Sequence, residues 1–108
     1  MRTIKEEEIF QMVKDTCLDA AYNLSPDAKE ALHVALKKEE SEIGKSILQE
    51  IIENAEIAEK DKLPLCQDTG FAVFFVEIGE DIIIEGSLNR AITNAVREAY
   101  QEGYLRKS

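Results

Sequence analysis

Pro64-Leu65-Cys66-Gln67-Asp68-Thr69-Gly70 stands where the chain changes its pattern. Before it, apolar residues recur at helical spacing. After it, residues 71–78 are apolar except for Glu77 and rich in aromatic and β-branched side chains, which suits a strand buried on both faces. The heptad itself reads as a loop. Leu63 precedes a proline, which disfavours helix, and Asp68 ahead of Thr69-Gly70 suits an Asx turn in which glycine supplies the unusual backbone angle. The loop gathers a thiol, an amide, a carboxylate and a hydroxyl between rigid elements, where binding and catalytic groups tend to sit.

Upstream, three helices are predicted. Thr3 with Glu6 reads as a capping box, and Ile9, Met12, Val13, Cys17, Ala20, Ala21 and Leu24 follow at helical spacing, which places a first helix at about residues 4–22. Ser25-Pro26 starts a second, with serine as N-cap and proline at the first helical position, ending near Lys38. Ser41 or Glu42 opens a third, whose wide face of Ile43, Ile47, Leu48, Ile51, Ile52, Ala55 and Ala58 is the strongest helical pattern in the chain.

Downstream, Gly79-Glu80-Asp81 reads as a turn and Ile82–Glu85 as a second, shorter strand antiparallel to the first. Ser87 caps a last helix with Ala91, Ile92, Ala95, Val96, Ala99 and Tyr100 facing inward, and Gly103 suits its C-terminal cap. The expected fold is α+β, a single domain over residues 1–108: a helical layer packed on a small antiparallel β-hairpin sheet, with a final covering helix.

The bulk properties narrow the function. Net charge is −9, so a phosphate backbone is repelled and nucleic acid is not an expected partner. No apolar run approaches the roughly 20 residues a membrane helix needs. Met1-Arg2-Thr3-Ile4-Lys5-Glu6 carries charge where a signal peptide is apolar, and the two cysteines, Cys17 and Cys66, form no Cys-x-x-Cys pair. A cytoplasmic location is expected.

Cysteine is most often a small core residue, and Cys17, inside an amphipathic helix, is read that way. Pro64 and the polar triplet after Cys66 argue against a core position there, leaving a ligand or nucleophile. The amide of Gln67 can hydrogen-bond a carboxylate, and the carboxylate of Asp68 can orient or accept a proton. Arg106 after a helix C-terminus is favoured by the dipole, as is Lys107, yet arginine also grips carboxylates through two parallel bonds. His33 lies mid-helix without a metal-ligand partner and is given no role. Asp68-Thr69-Gly70 is also the aspartic-protease triplet, but those enzymes are nearly all β and this chain opens with three helical patterns. A small helical interaction module without catalysis is the alternative from another class; it predicts that Cys66 is replaceable.

The heptad, the apolar strand after it, the helix start at Gly86-Ser87-Leu88 and the closing Gly103-Tyr104-Leu105-Arg106-Lys107-Ser108 together resemble the iron–sulfur (class I) fumarate hydratases and the related tartrate dehydratases. The resemblance implies a hydro-lyase that interconverts a 2-hydroxydicarboxylate with its dehydrated product. It implies that Cys66 is one of three cysteines holding a 4Fe–4S cluster, whose fourth iron, bare of protein thiolate, binds substrate. It further implies that Gln67 and Arg106 bind the dicarboxylate and that catalytic Asp68 orients or tunes a general base elsewhere. Alpha subunits of that family run longer than 108 residues, so the expected identity is the N-terminal portion of one, completed by a beta subunit or C-terminal catalytic domain. With one matched thiolate, the piece alone is expected to hold no cluster and to be inactive, and apolar surface exposed on it favours a homo-oligomer.

Overall fold

In the structure, a computed structural model, residues 1–106 are described; Lys107 and Ser108, the end of the closing motif, lie outside the described residues. Strand β1 (Arg2–Lys5) runs directly into helix α1 (Glu6–Tyr22), followed by α2 (Pro26–Lys38), α3 (Glu42–Asp61), β2 (Ile82–Glu85) and α4 (Leu88–Glu102). The α+β class holds.

Local chemistry sets the helix starts. The Ser41 hydroxyl accepts the Gly44 N–H at 3.2 Å, and the Ser87 hydroxyl accepts the Arg90 N–H at 3.1 Å, both as the sequence suggests. Each such cap is worth about 1 kcal/mol. Proline opens α2. The box expected on Thr3 and Glu6 is displaced by two residues: Glu8 accepts the Lys5 backbone N–H at 2.8 Å, and Glu6, Glu7 and Glu8 fill the first turn, where the helix dipole favours acids.

The expected antiparallel hairpin is replaced by a two-stranded parallel sheet. β1 pairs with β2 in the register Arg2↔Ile82 through Lys5↔Glu85. The alternating Thr3-Ile4 pair suits strand as well as helix, and here the crossover through three helices, long enough for a parallel pairing, brings it beside β2. The turn at Gly79 does form, with the Ile82 N–H on the Gly79 carbonyl at 3.1 Å. Residues 71–78, however, join no ladder. Nor are they buried on both faces: Phe74 is half-buried while Phe71 and Phe75 are 82% and 95% exposed. The segment lies over the inner face of the sheet, where Phe74, Val76 and Ile78 share a hollow with Ile4, Ile82 and Ile84.

The core sits between α1 and α4. Ala91, Ala95 and Ala99, spaced by four, form one buried stripe on α4, and buried Gly103 continues it. Small side chains let the two helices approach closely. Ile9 and Leu105 supply the larger buried side chains, each worth about 2 kcal/mol when fully removed from water. A second pairing joins α2 to α3, where Ile52 and buried Ala55 share a hollow with Leu32, but Ile43, Ile47 and Ile51 of the wide apolar face stay exposed. Because α3 touches α1 only lightly, the α2–α3 pair extends the molecule to 57 × 28 × 22 Å. The 17.9 Å radius of gyration exceeds the roughly 13 Å of a compact 100-residue domain.

Candidate functional site

Two helices anchor the heptad loop at its start. The Leu65 N–H donates to the Ala21 carbonyl on α1 at 2.9 Å, and Asn54 Nδ2 on α3 donates to the Leu65 carbonyl at 2.8 Å. Lys62, left-handed at φ 53°, turns the chain out of α3, and the Leu63 N–H closes the turn on the Ala58 carbonyl at 3.0 Å.

The loop then folds on itself. Cys66 Sγ accepts the Asp68 N–H at 3.4 Å, and Asp68 Oδ1 accepts the Gly70 N–H at 3.3 Å, the Asx turn expected from the sequence. Gly70 has φ +67°, the left-handed region that glycine enters without steric cost. Tyr100 Oη on α4 donates to the Gly70 carbonyl at 3.4 Å. Cys66, Gln67 and Asp68 are exposed, so thiol, amide and carboxylate sit on one accessible turn.

Arg106 belongs to the same place. Its backbone N–H donates to Thr69 Oγ1 at 2.8 Å, and Thr69 Oγ1 donates to its carbonyl at 3.2 Å. The residue that follows the proposed catalytic carboxylate in sequence therefore holds the arginine's main chain, while the Arg106 side chain is exposed. The turn that carries Cys66, Gln67 and Asp68 and the tail that carries Arg106 are thus joined through Thr69 and the Arg106 backbone. His33 is exposed on α2, outside this cluster.

Cys17 is half-buried on α1, and burial pushes its thiol up from the ordinary cysteine range. It is nearer the loop than the sequence suggests: it lies one turn before Ala21 and lines a hollow with Thr69, Tyr100 and Leu105. Sequence reading missed Asn54, a single amide on a charged helix face that carries no local signal. It also gave Thr69 and Tyr100 only loop-shaping and core roles, since their partners lie 37 and 30 residues away in sequence.

The donor set bears on what the loop could hold. Cys66 is an accessible sulfur that already accepts a backbone N–H, an arrangement common around metal-bound thiolates. It fits one ligand of a metal cluster. Among the described residues no group of three or more His, Cys, Asp or Glu side chains could hold a metal ion. No helix among them is long and apolar enough to cross a membrane.

Residues 10–108 match the family described as fumarate hydratase (Fumerase). The chain is 42% identical over 101 residues to the putative L(+)-tartrate dehydratase subunit alpha of Methanocaldococcus jannaschii, covering 92% of this chain and 35% of that protein. It is 29% identical over 106 residues to the anaerobic class I fumarate hydratase of Escherichia coli K12, covering 97% of this chain and 19% of the enzyme. It is 37% identical over 68 residues to the E. coli L(+)-tartrate dehydratase subunit alpha, covering 63% of this chain and 22% of that subunit. The chain therefore spans about a third or less of the length of these relatives.

Proposed function

Because the chain belongs to the fumarate hydratase (Fumerase) family, we propose that it forms the N-terminal portion of the alpha component of a hydro-lyase acting on a four-carbon dicarboxylate, hydrating fumarate to malate or dehydrating tartrate. The observation that supports this reading is the Thr69–Arg106 pairing, which ties the main chain that carries Arg106 to the exposed turn that carries Cys66, Gln67 and Asp68. Their side chains are the groups needed to hold a doubly charged, hydroxylated substrate.

Each residue has a chemical task in this reading. The Gln67 amide donates to a substrate carboxylate. Arg106 grips a carboxylate through paired charge-assisted bonds. Asp68 keeps Oδ1 on the Gly70 N–H, which orients the carboxylate and leaves Oδ2 to position a general base or take its proton. Cys66 would provide one thiolate to a 4Fe–4S cluster; such a cluster, when bound, supplies a Lewis-acidic iron for the substrate hydroxyl. The remaining thiolates and the base come from outside this chain, in a beta subunit or C-terminal catalytic domain, and the chain alone is inactive. The broad apolar exposure of residues 71–78 supports a role within a larger assembly, and a cytoplasmic site suits thiolate chemistry.

Cys66→Ser tests the reading. In the assembled enzyme it should abolish hydration of fumarate and dehydration of L(+)-tartrate, together with iron content and brown absorbance. Anaerobic iron and sulfide reconstitution of the 108-residue chain alone should leave it without stoichiometric iron. A Cys66→Ser enzyme that stays active and iron-loaded would overturn the ligand role.

A further inference from the structure

We propose that Thr69 is a positioning residue for Arg106: its hydroxyl, bonded both ways to the Arg106 backbone, fixes the arginine against the Cys66-Gln67-Asp68 turn, so that the guanidinium and the Gln67 amide meet one bound dicarboxylate. The inference rests on the hydro-lyase reading above and assigns a role that the loop's own chemistry does not require.

A hydroxyl carries one proton and two lone pairs. Thr69 Oγ1 uses both capacities on one residue, accepting the Arg106 N–H at 2.8 Å and donating to the Arg106 carbonyl at 3.2 Å. Two bonds to the peptide groups on either side of one Cα fix orientation as well as distance. The bonds span 37 residues, joining the loop after α3 to the tail after α4.

The tail needs such a tether. Tyr104 turns it back from α4 at φ 56°, a left-handed angle that costs a non-glycine residue about 1 kcal/mol. Leu105, 6% exposed, docks beneath the turn, and its N–H reaches the Tyr100 carbonyl at 3.0 Å. These contacts hold Leu105 but leave Arg106 one residue beyond the last buried anchor, with Thr69 as its main-chain partner. An arginine that bridges to a carboxylate must give up side-chain freedom worth up to about 2 kcal/mol. A backbone fixed in advance removes the further cost of ordering the main chain, which is the usual gain from preorganisation.

The test separates the tether from the fold. Thr69→Val keeps the shape and loses both bonds; Thr69→Ser keeps both and is the rescue. In the 108-residue chain, amide exchange by NMR should show the Arg106 N–H protected in wild type and Thr69→Ser. In Thr69→Val it should exchange about tenfold faster or more, with α4 amides unchanged. Equal protection in Thr69→Val would overturn the proposal. In the assembled enzyme, with L-malate as probe, Thr69→Val and Arg106→Met should each raise KM about tenfold with kcat within a factor of about three. The double variant should be no worse than Arg106→Met, because Thr69 acts through Arg106; additive losses would sink that coupling. If Arg106→Met raises KM and Thr69→Val does not, the proposal fails while the substrate-binding reading stands. If Arg106→Met leaves KM unchanged, that reading fails and takes the proposal with it.

Discussion

Glu6 and Arg90, 84 residues apart, clasp the start of α1 to the start of α4. The Glu6 carboxylate accepts from Arg90 Nε at 2.8 Å and Nη2 at 2.6 Å, and from the Ser87 N–H at 2.8 Å. Gly86 makes the approach possible: at φ +108°, a Cβ there would stand 2.5 Å from Glu6 Oε1. The paired geometry is the strong form of an arginine–carboxylate contact, and with the Ser87 bond it ties the residue that follows β1 to the first turn of α4.

The clasp predicts how stability follows acid. The Arg90 hydrogen bonds, then the Ser87 amide, hold the Glu6 carboxyl down to about 2. Its value in an unfolded chain is about 4.3. The folded value is depressed, so the contribution is fully present above the unfolded value and is lost as pH falls toward the folded one. Glu6→Gln should therefore lower Tm at pH 7 and flatten the acid limb of a Tm–pH curve between about pH 4.3 and 2. Because the Arg90 side chain is 62% exposed, salt should narrow the difference between wild type and variant. An unchanged acid limb in Glu6→Gln would show that other carboxylates govern it.

Gly103 and Tyr104 should respond in opposite directions. Gly103 is the C-cap of α4, as the sequence suggests, but its φ is −85° and Tyr104 takes the left-handed position. Gly103 is small because of space: a Cβ there would lie 2.6 Å from Leu18 Cδ2 and 2.9 Å from the Ala99 carbonyl oxygen. The backbone oxygen cannot move aside, so Gly103→Ala should cost about 1–3 kcal/mol. Tyr104, 85% exposed, loses little packing on replacement, and Tyr104→Gly should gain about 1 kcal/mol in urea unfolding. A neutral Gly103→Ala would refute the close-packing account.

The same pair shows what a sequence carries and what it does not. The starts of α2, α3 and α4 were legible because Pro26 and the Ser41 and Ser87 hydroxyls act on their own first turns, although the Ser25 hydroxyl makes no cap bond. The Cys66 loop was legible as a turn for the same reason. β1 was not, since Thr3-Ile4 suits either state and its partner lies about 80 residues on. Residues 71–78 announce that they need covering without saying by what. The link between Thr69 and Arg106 is non-local, so the family resemblance implied a shared site without indicating this bond.

The two thiols should react at different rates. Cys66 is exposed on the turn, while Cys17 is half-buried and its thiol is pushed up by burial. Less thiolate and less access both slow alkylation, because the thiolate is the nucleophile. Limiting iodoacetamide at pH 8 should give one adduct on Cys66, read by peptide mass spectrometry, with Cys17 modified only after unfolding. Comparable early labelling of Cys17 would mean that the hollow around it opens readily.

Residues 71–78 should drive self-association of the 108-residue chain. Phe71, Val73 and Phe75, at alternate positions, are 82%, 70% and 95% exposed. Phe74, Val76 and Ile78 line the hollow over the sheet. An uncharged stripe on a segment that joins no ladder is the feature that edge-to-edge pairing exploits. Each copy carries −9, so mutual repulsion opposes contact and added salt should strengthen it. Sedimentation equilibrium should show mass rising with concentration for wild type. Val73→Lys with Phe75→Lys should remain monomeric over the same range with little change in Tm, because neither side chain is buried. If the double variant associates as strongly, the contact lies instead on the exposed Ile43, Ile47 and Ile51 of α3, and residues 71–78 are not the adhesive surface.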